Sequence, residues 1–424
     1  MTKLRWSLMT ASTLALAAIA PALPVNAAKK PQPTGPQIVM SDTFRAQMAS
    51  AKAALRSGDT ATANNIASSL MPSSDFESYA AAGLRFELAS RRSDVQAQRL
   101  ALTDMFKTNA VPVAEAPRLR FLAGYFSYAV GNYDDALAQL GYAKTLGYDE
   151  TDALLLTADI HLRRGKPKEA RPFVDAAMAR ERAAGRAIPA AWYDRAISLA
   201  YQAGDWDAVG RLYRERLALG ASRGEWRSAL ANAMTTPGID KQAMLDLYRL
   251  QAANGAMASE RDYQGYAAFA EKSGYSAEAK AIIEAGRSAG KLAPTQPATA
   301  QLFKTVSPKA PKEIAALPAM VAKAAKSNKG DAALDAGDAY FSLGQYPQAA
   351  EQYRLALSKG SVDVNHANSR LGVALARSGD LAGGKAALDQ VSGKWASVAG
   401  FWSVWVDQQS GKASASKQGA TPTG

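Results

Sequence analysis

The chain has 424 residues, 48% of them hydrophobic, with 50 Lys plus Arg against 38 Asp plus Glu, a formal charge of +12, two histidines and no cysteine. The absence of cysteine excludes disulfides, thiolate chemistry and a lipid-anchored N-terminal cysteine, so the fold must rest on packing alone. With many alanines and no sustained Val/Ile/Thr alternation, the composition excludes a large β domain and predicts a nearly all-helical protein with a large core.

The chain opens on a targeting pattern. Lys3 and Arg5 precede an apolar run from about Ser7 to Ala22, and Val25-Asn26-Ala27 places small residues around a cut after Ala27. Residues 1–27 therefore read as a bacterial-type export signal, which predicts an exported, most simply periplasmic, protein. Pro21 and Pro24 interrupt the run, so no stable membrane span is expected after cleavage. Residues 28–41 are rich in Pro and Lys and read as a tether.

From residue 42 onward, glycines in a polar setting recur between amphipathic stretches: Gly58, Gly131, Gly165, Gly204, Gly238, Gly274, Gly344 and Gly379. Their separations are 73, 34, 39, 34, 36, 70 and 35 residues, so each long gap has room for a unit with a degenerate turn. Glycine past a helix end takes the left-handed conformation without steric cost. Asp59, Asn132, Asp205 and Asp380 directly follow such glycines and are placed to cap the next helix.

The clearest unit is 329–360, with Gly337, Tyr340, Gly344, Tyr346, Ala349, Tyr353 and Ala356; a second carries Gly124, Tyr133, Ala136, Leu140 and Ala143 around Gly131. Gly337-Asp338-Ala339-Tyr340 and Ala349-x3-Tyr353 resemble the tetratricopeptide repeat family, with its period of 34, Gly-x2-Tyr and Ala-x3-Phe. The unit at Gly379 keeps Gly372, Leu381 and Leu388 but has Gly384 where a small alanine would sit, and the remaining units retain little beyond the turn.

The resemblance implies an all-α, right-handed superhelical solenoid of about ten helix-turn-helix repeats, several of them divergent. Residues 42–290 form its N-terminal part and 329–393 its C-terminal repeats. Between them, 291–328 is a divergent Lys/Pro-rich segment expected to bend or divide the array: residues 287–329 hold seven lysines, one acid (Glu313) and prolines at 294, 297, 308, 311 and 318. Residues 394–409 place Trp395, Val398, Trp402, Trp405 and Val406 on one helical face, which predicts a helix that caps the last repeat or docks on a partner. Residues 410–424, rich in Gly, Ala, Ser and Lys, are expected to be disordered.

In such an array the first helices line a concave binding face. Transferring the family's inward-facing positions selects Phe121, Tyr125 and Tyr128; Leu155, Asp159 and Leu162; Asp194, Ser198 and Tyr201; and Leu334, Asp338 and Phe341. Tyr, Phe and Asp together suit a protein or peptide partner with apolar side chains and some basic or amide groups. Packing between neighbouring repeats is the competing role for each of them.

Signals for chemistry are thin. Gly286-Arg287-Ser288-Ala289-Gly290 matches Gly-x-Ser-x-Gly, but a helix precedes it where a strand-to-helix elbow is required. Gly379-x4-Gly384-Lys385 lacks the Ser or Thr of a phosphate loop, having Ala386 instead. His161 falls on a first helix and His366 in an inter-repeat connection, so no paired-histidine metal site is expected and no cofactor is implied.

The positive charge admits an anionic envelope polymer. Basic and stacking aromatic residues do not alternate as nucleic-acid binding would require. The resulting expectation is a non-catalytic scaffold binding protein or peptide partners in the bacterial cell envelope. The alternative is a protein associated with peptidoglycan or another cell-wall glycan, resembling the helix arrays of lytic transglycosylases, although only about thirty residues follow Val391, too few for their catalytic domain.

Overall fold

The computed structural model describes residues 40–418, and side chains through 411. The expected signal at 1–27, the tether up to residue 39 and residues 419–424 lie outside the described residues. Among the described residues there are twenty-one α-helices, one short 3-10 turn and no strand. Eighteen of the first twenty helices form nine helix-turn-helix pairs, and by contact the chain divides into two units after Leu119.

In the first unit, α1 (Asp42–Arg56) pairs with α2 (Thr60–Ser69), and α3 (Asp75–Arg91) with α4 (Val95–Phe106). Phe44, Met48, Leu55, Ala63, Leu84 and Leu88 fill the space between them. The turn from α3 to α4 carries Ser93 at φ 54° in place of a glycine, so a reading keyed on glycine passes over this pair. Glu77, at 1% exposure, accepts from the backbone N–H groups of Ser41 (2.7 Å) and Ser73 (2.6 Å) and from both serine hydroxyls.

The unit boundary falls inside α5 (Ala116–Ala129), which pairs with α6 (Tyr133–Thr145) and is followed by α7 (Thr151–Arg163) with α8 (Pro167–Ala183), α9 (Ala190–Gln202) with α10 (Trp206–Ala218), and α11 (Arg223–Met234) with α12 (Lys241–Ala253). The array continues through α13 (Glu260–Lys272) with α14 (Ser276–Ser288), α17 (Asp331–Ser342) with α18 (Tyr346–Lys359), and α19 (Val364–Arg377) with α20 (Leu381–Leu388), while α15 (Pro297–Val306) and α16 (Ala310–Lys326) each pack on α14.

All eight turn glycines have positive φ, from 70° to 99°. At Gly131 the next residue, Asn132, donates its N–H to Ser127 O (2.8 Å), closing α5, while its side chain accepts from Asp135 N to open α6. Asp59, Asp205 and Asp380 open α2, α10 and α20 in the same way. The repeat period also surfaces as side-chain contacts between residues about one unit apart. Arg171 reaches Asp205 (2.6 Å), Arg227 reaches Asp262 (2.9 Å), and the Lys359 ammonium donates to Ala324 O (2.6 Å), each linking one pair to the next.

Small residues mark the close crossings. A Cβ on Gly337 would lie 2.7 Å from the Tyr353 ring, and one on Gly372 would lie 2.6 Å from Leu388 Cγ and 2.8 Å from Gly384 O. Gly384 is thus required by the backbone of α19 opposite it.

The Lys/Pro-rich segment 291–328 holds α15 and α16, both packed on α14, with α16 also packed on α17. Pro297 and Pro311 lie in first turns, where a missing N–H costs nothing, and Pro318 is accommodated inside α16. His366 lies in the first turn of α19 and not in a connection. The C-terminal region expected to be disordered from 410 continues as helix, since α21 (Ala396–Gln418) extends through Ala-, Ser- and Lys-containing sequence that can propagate an existing helix.

The course of α21 departs furthest from a linear array. It packs on α20 and α19 but also on α10 and α12, so the last element touches repeats nearly two hundred residues earlier. Trp395, Val398, Phe401, Trp402, Trp405 and Val406 share one core with Leu217, Trp226 and Leu247. The Trp402 indole donates to Asp246 O (3.3 Å), and the Gln408 amide donates to Leu217 O (2.9 Å).

Below this helix lies a buried polar network. The Arg370 guanidinium, fully enclosed, reaches Asp246 (3.1 Å), Asp338 (2.7 Å) and Gln242 (2.7 Å). Arg249 joins Asp246 (2.6 Å) to Glu278 in a bidentate pair (2.8 and 2.7 Å), and the hydroxyls of Tyr353 and Tyr266 donate to Asp338 and Glu278.

Trp402→Ala should lower unfolding stability by about 3–5 kcal/mol in urea melts, because a fully buried indole is removed between α10, α12 and α21. Gly372→Ala should cost about 1–3 kcal/mol through overpacking against backbone, whereas Gly141→Ala, with no atom within 4 Å of the new methyl, should be neutral or stabilising by about 0.4–1 kcal/mol. The N–H groups of Ser73 and Ser41 hold the Glu77 carboxyl down to about 2 from its ordinary 4.5. Its stabilisation is therefore complete above pH 4.5 and is lost as pH falls towards 2. Amide exchange in α1, corrected for intrinsic rates, should accelerate over that window in the wild type and show a flatter pH dependence in Glu77→Gln.

Candidate functional site

The twelve inward-facing positions separate into three environments. In α5 and α7 they form a braced surface. Phe121 stacks on Tyr148 with ring centroids 4.6 Å apart, and Tyr125 and Tyr128 are half-buried. The Tyr128 hydroxyl donates to Asp159 and accepts from Arg163 Nε (3.0 Å), while Arg195 approaches the other Asp159 oxygen at 3.5 Å. Burial, then the carboxylate of Asp159, push the Tyr128 hydroxyl up to about 12. Leu155 is buried and Leu162 half-buried, so on α7 the polar position Asp159 ties three consecutive first helices together.

At the C-terminal end, Asp338 and Phe341 are buried and Leu334 is half-buried. Burial opposes ionisation of Asp338, but the neighbouring Arg370 and His366 outweigh it and hold the carboxyl below its usual range. Phe341 lies beneath the Arg249 guanidinium, 4.8 Å from its ring centroid. These two positions are internal to the packing of α17 on α12 and α19 and present no surface to a partner. The physical cause is the return of the C-terminal repeats onto α12, which a linear reading of repeats does not contain.

The middle trio differs. Asp194, Ser198 and Tyr201 on α9 are exposed, Tyr201 at 47%, and together with Ile197, Gln202, Tyr213 and Asn232 they line an open cavity of about 320 Å³. Its floor is apolar, formed by Ile197 and the Tyr213 ring. Its rim carries the Gln202 and Asn232 amides and the Asp194 carboxylate, whose nearest cation, Arg216 Nε, is 3.8 Å away. Tyr201 is held edge-on to Trp206 at 4.9 Å, which fixes the ring without covering it. Gln202 adjoins a selected position; Tyr213 and Asn232 come from α10 and α11, and no local pattern marked them.

The three tryptophans considered for docking, Trp395, Trp402 and Trp405, are 2%, 1% and 6% exposed, with their faces turned into the core. A second cavity, about 650 Å³, lies where the start of α21 meets α10.

The sequence motifs of catalytic appearance fall in helical settings. Ser288 is the last residue of α14, and Gly286 before it sits against Leu292 and Tyr263 at a crossing. His161 stacks on Phe173 and lies 3.0 Å from Glu169; His366 stacks on Trp395 at 4.5 Å. Among the described residues no cluster of His, Asp and Glu could hold a metal ion, and no helix is long and apolar enough to cross a membrane.

Residues 121–185 and 319–395 match the family described as tetratricopeptide repeat. Curated protein sequences show no match. Among solved structures, the chain is similar to a tetratricopeptide repeat protein from Parabacteroides merdae (14% identity, 70% of this chain and 99% of that one, TM-score 0.32). It is also similar to the TPR2AB domain of yeast Sti1 in complex with a pHSP90 (15%, 71% and 99%, 0.23) and to the apo form of the quorum sensor NprR from B. thuringiensis (14%, 75% and 99%, 0.29). With two family matches, nine helix pairs, glycine turns at the repeat spacing and small residues at the crossings, the chain is a helical repeat protein that resembles the tetratricopeptide repeat family.

Proposed function

We propose that this protein is a non-catalytic interaction scaffold of the bacterial cell envelope that holds a peptide segment of a partner protein on the face of α9 and α11. One observation carries the reading: three residues chosen for binding from their repeat position, Asp194, Ser198 and Tyr201, share the wall of an open, apolar-floored cavity, while their counterparts in α7 and α17 are taken up by internal contacts. An aliphatic or aromatic side chain fits the floor between Ile197 and Tyr213. The Gln202 and Asn232 amides can donate to and accept from an extended peptide backbone, and Asp194 favours a basic flanking residue. An exposed tyrosine contributes large rigid area at low entropic cost. The export pattern in residues 1–27 supports an envelope, most simply periplasmic, location.

The test places a photoreactive side chain at Ser198 in cells, identifies the crosslinked segment, and titrates the corresponding peptide against purified protein. Tyr201→Ala and Asp194→Lys should each weaken binding about tenfold or more, equivalent to about 1.4 kcal/mol, with unchanged melting temperatures because both side chains are exposed. Equal affinity of wild type and Tyr201→Ala would overturn the assignment. Binding to purified peptidoglycan that weakens steeply with salt, with no peptide captured, would instead favour the glycan-associated alternative.

A further inference from the structure

We propose that the 650 Å³ cleft between α10 and the start of α21 is a binding site for a small organic ligand bearing an oxyanion, phosphate or carboxylate, with Arg214 as its seat. This site is separate from the Tyr201 cavity and does not depend on the peptide-binding reading.

The argument is one of unmatched charge. Arg171, Arg211, Arg214 and Lys394 line the cleft with Asp205, Asp207 and Asp240, and three of the cations are held by carboxylates at ion-pair distance: Arg171 by Asp205 (2.6 Å), Arg211 by Glu215 (3.0 Å) and Lys394 by Asp240 (3.1 Å). Arg214 forms no ion pair among the described residues. Its one hydrogen bond to a protein group among the described residues is from Nη1 to the Ser397 hydroxyl at 3.3 Å, a neutral partner.

The stem of Arg214 is pressed against α21, where a Cβ on Gly400 would lie 2.7 Å from its Cδ, and its guanidinium stands 5.6 Å from the Phe401 ring centroid. The head is thereby fixed in a wall of the cleft. Burial, then the neighbouring Arg211, disfavour its charge and outweigh the more distant carboxylates of Glu215 and Asp207. A partly desolvated guanidinium with no carboxylate at ion-pair distance is costly, and its planar fork fits one carboxylate or phosphate in a bidentate arrangement.

The remaining wall favours a ligand larger than the anion alone. The volume falls in the range of small-molecule pockets, and Ala208, Ile239 and Val398 give it an apolar side. The cleft exists only because α21 returns to α10, so sites read from a single repeat cannot contain it.

The experiment uses the full chain without its first 27 residues, titrated with inorganic phosphate and, separately, with acetate at constant ionic strength set by chloride. Melting temperature and calorimetry are the readouts. Saturable stabilisation in the millimolar range by one of the two anions is expected, and which one saturates identifies a phosphorylated or a carboxylated ligand. Arg214→Gln should abolish the saturable component. Because that variant can also loosen α21, Ser397→Asp provides an independent check: a carboxylate placed beside Arg214 should raise the melting temperature without added anion and remove the response to it. Lys385→Gln, on exposed α20, should bind as the wild type does. Absence of saturable binding of either anion beyond the chloride control, or undiminished binding by both Arg214→Gln and Ser397→Asp, would overturn the proposal.

Discussion

Arg370 binds Asp246 and Asp338 at once, in full burial, and through them the C-terminal repeats are registered on α12. Burying charge is expensive, and such a pair contributes little net stability compared with apolar packing of similar volume. What it contributes is exclusivity: a shift of α19 by one turn along α12 would strand a guanidinium and two carboxylates away from water and from each other. The surrounding groups, Gln242, Arg249, Glu278, Tyr266 and Tyr353, leave few ways to satisfy this network other than the observed one. The apolar mass of α21 then closes over it and supplies the hydrophobic stabilisation.

A repeat protein of independent units is stabilised by neighbour contacts alone. Here the second unit adds contacts between α10, α12 and α21, which couple early repeats to the chain's last helix. The face of α17 that would line a binding surface in a linear array is consumed in this coupling, whereas the face of α9 stays open. Both cavities follow from that division of labour. One is a shallow pocket on first helices; the other is a deeper cleft at the seam where chain end meets chain middle.

Asp159 and Asp338 show how one repeat position can carry different duties. Each stands six residues before its turn glycine, and each is drawn into cross-bracing by arginines and a tyrosine from other helices. At the same position on α9 the residue is Ser198, too short to span to the next helix, and there the surface stays exposed.

The amino-acid sequence by itself determined the helical pairs, their turns and their small-residue crossings. Gly131 with Asn132, or Gly372 facing Leu388, act over a few residues, and the steric and hydrogen-bonding demands of a helix end are local enough to be written locally. The pair α3–α4 escaped a glycine-based reading because Ser93 takes the left-handed turn, and α15–α16 because lysine and proline mask a helix whose prolines fall mostly in first turns. Only the tertiary structure decided that Trp402 meets Asp246 and that Arg370 meets it too, across 124 residues. It likewise decided that Asp338 is internal while Tyr201 is exposed. Those outcomes depend on the accumulated rotation of successive repeats, in which small angles add over many helices, and no short stretch of sequence encodes that sum.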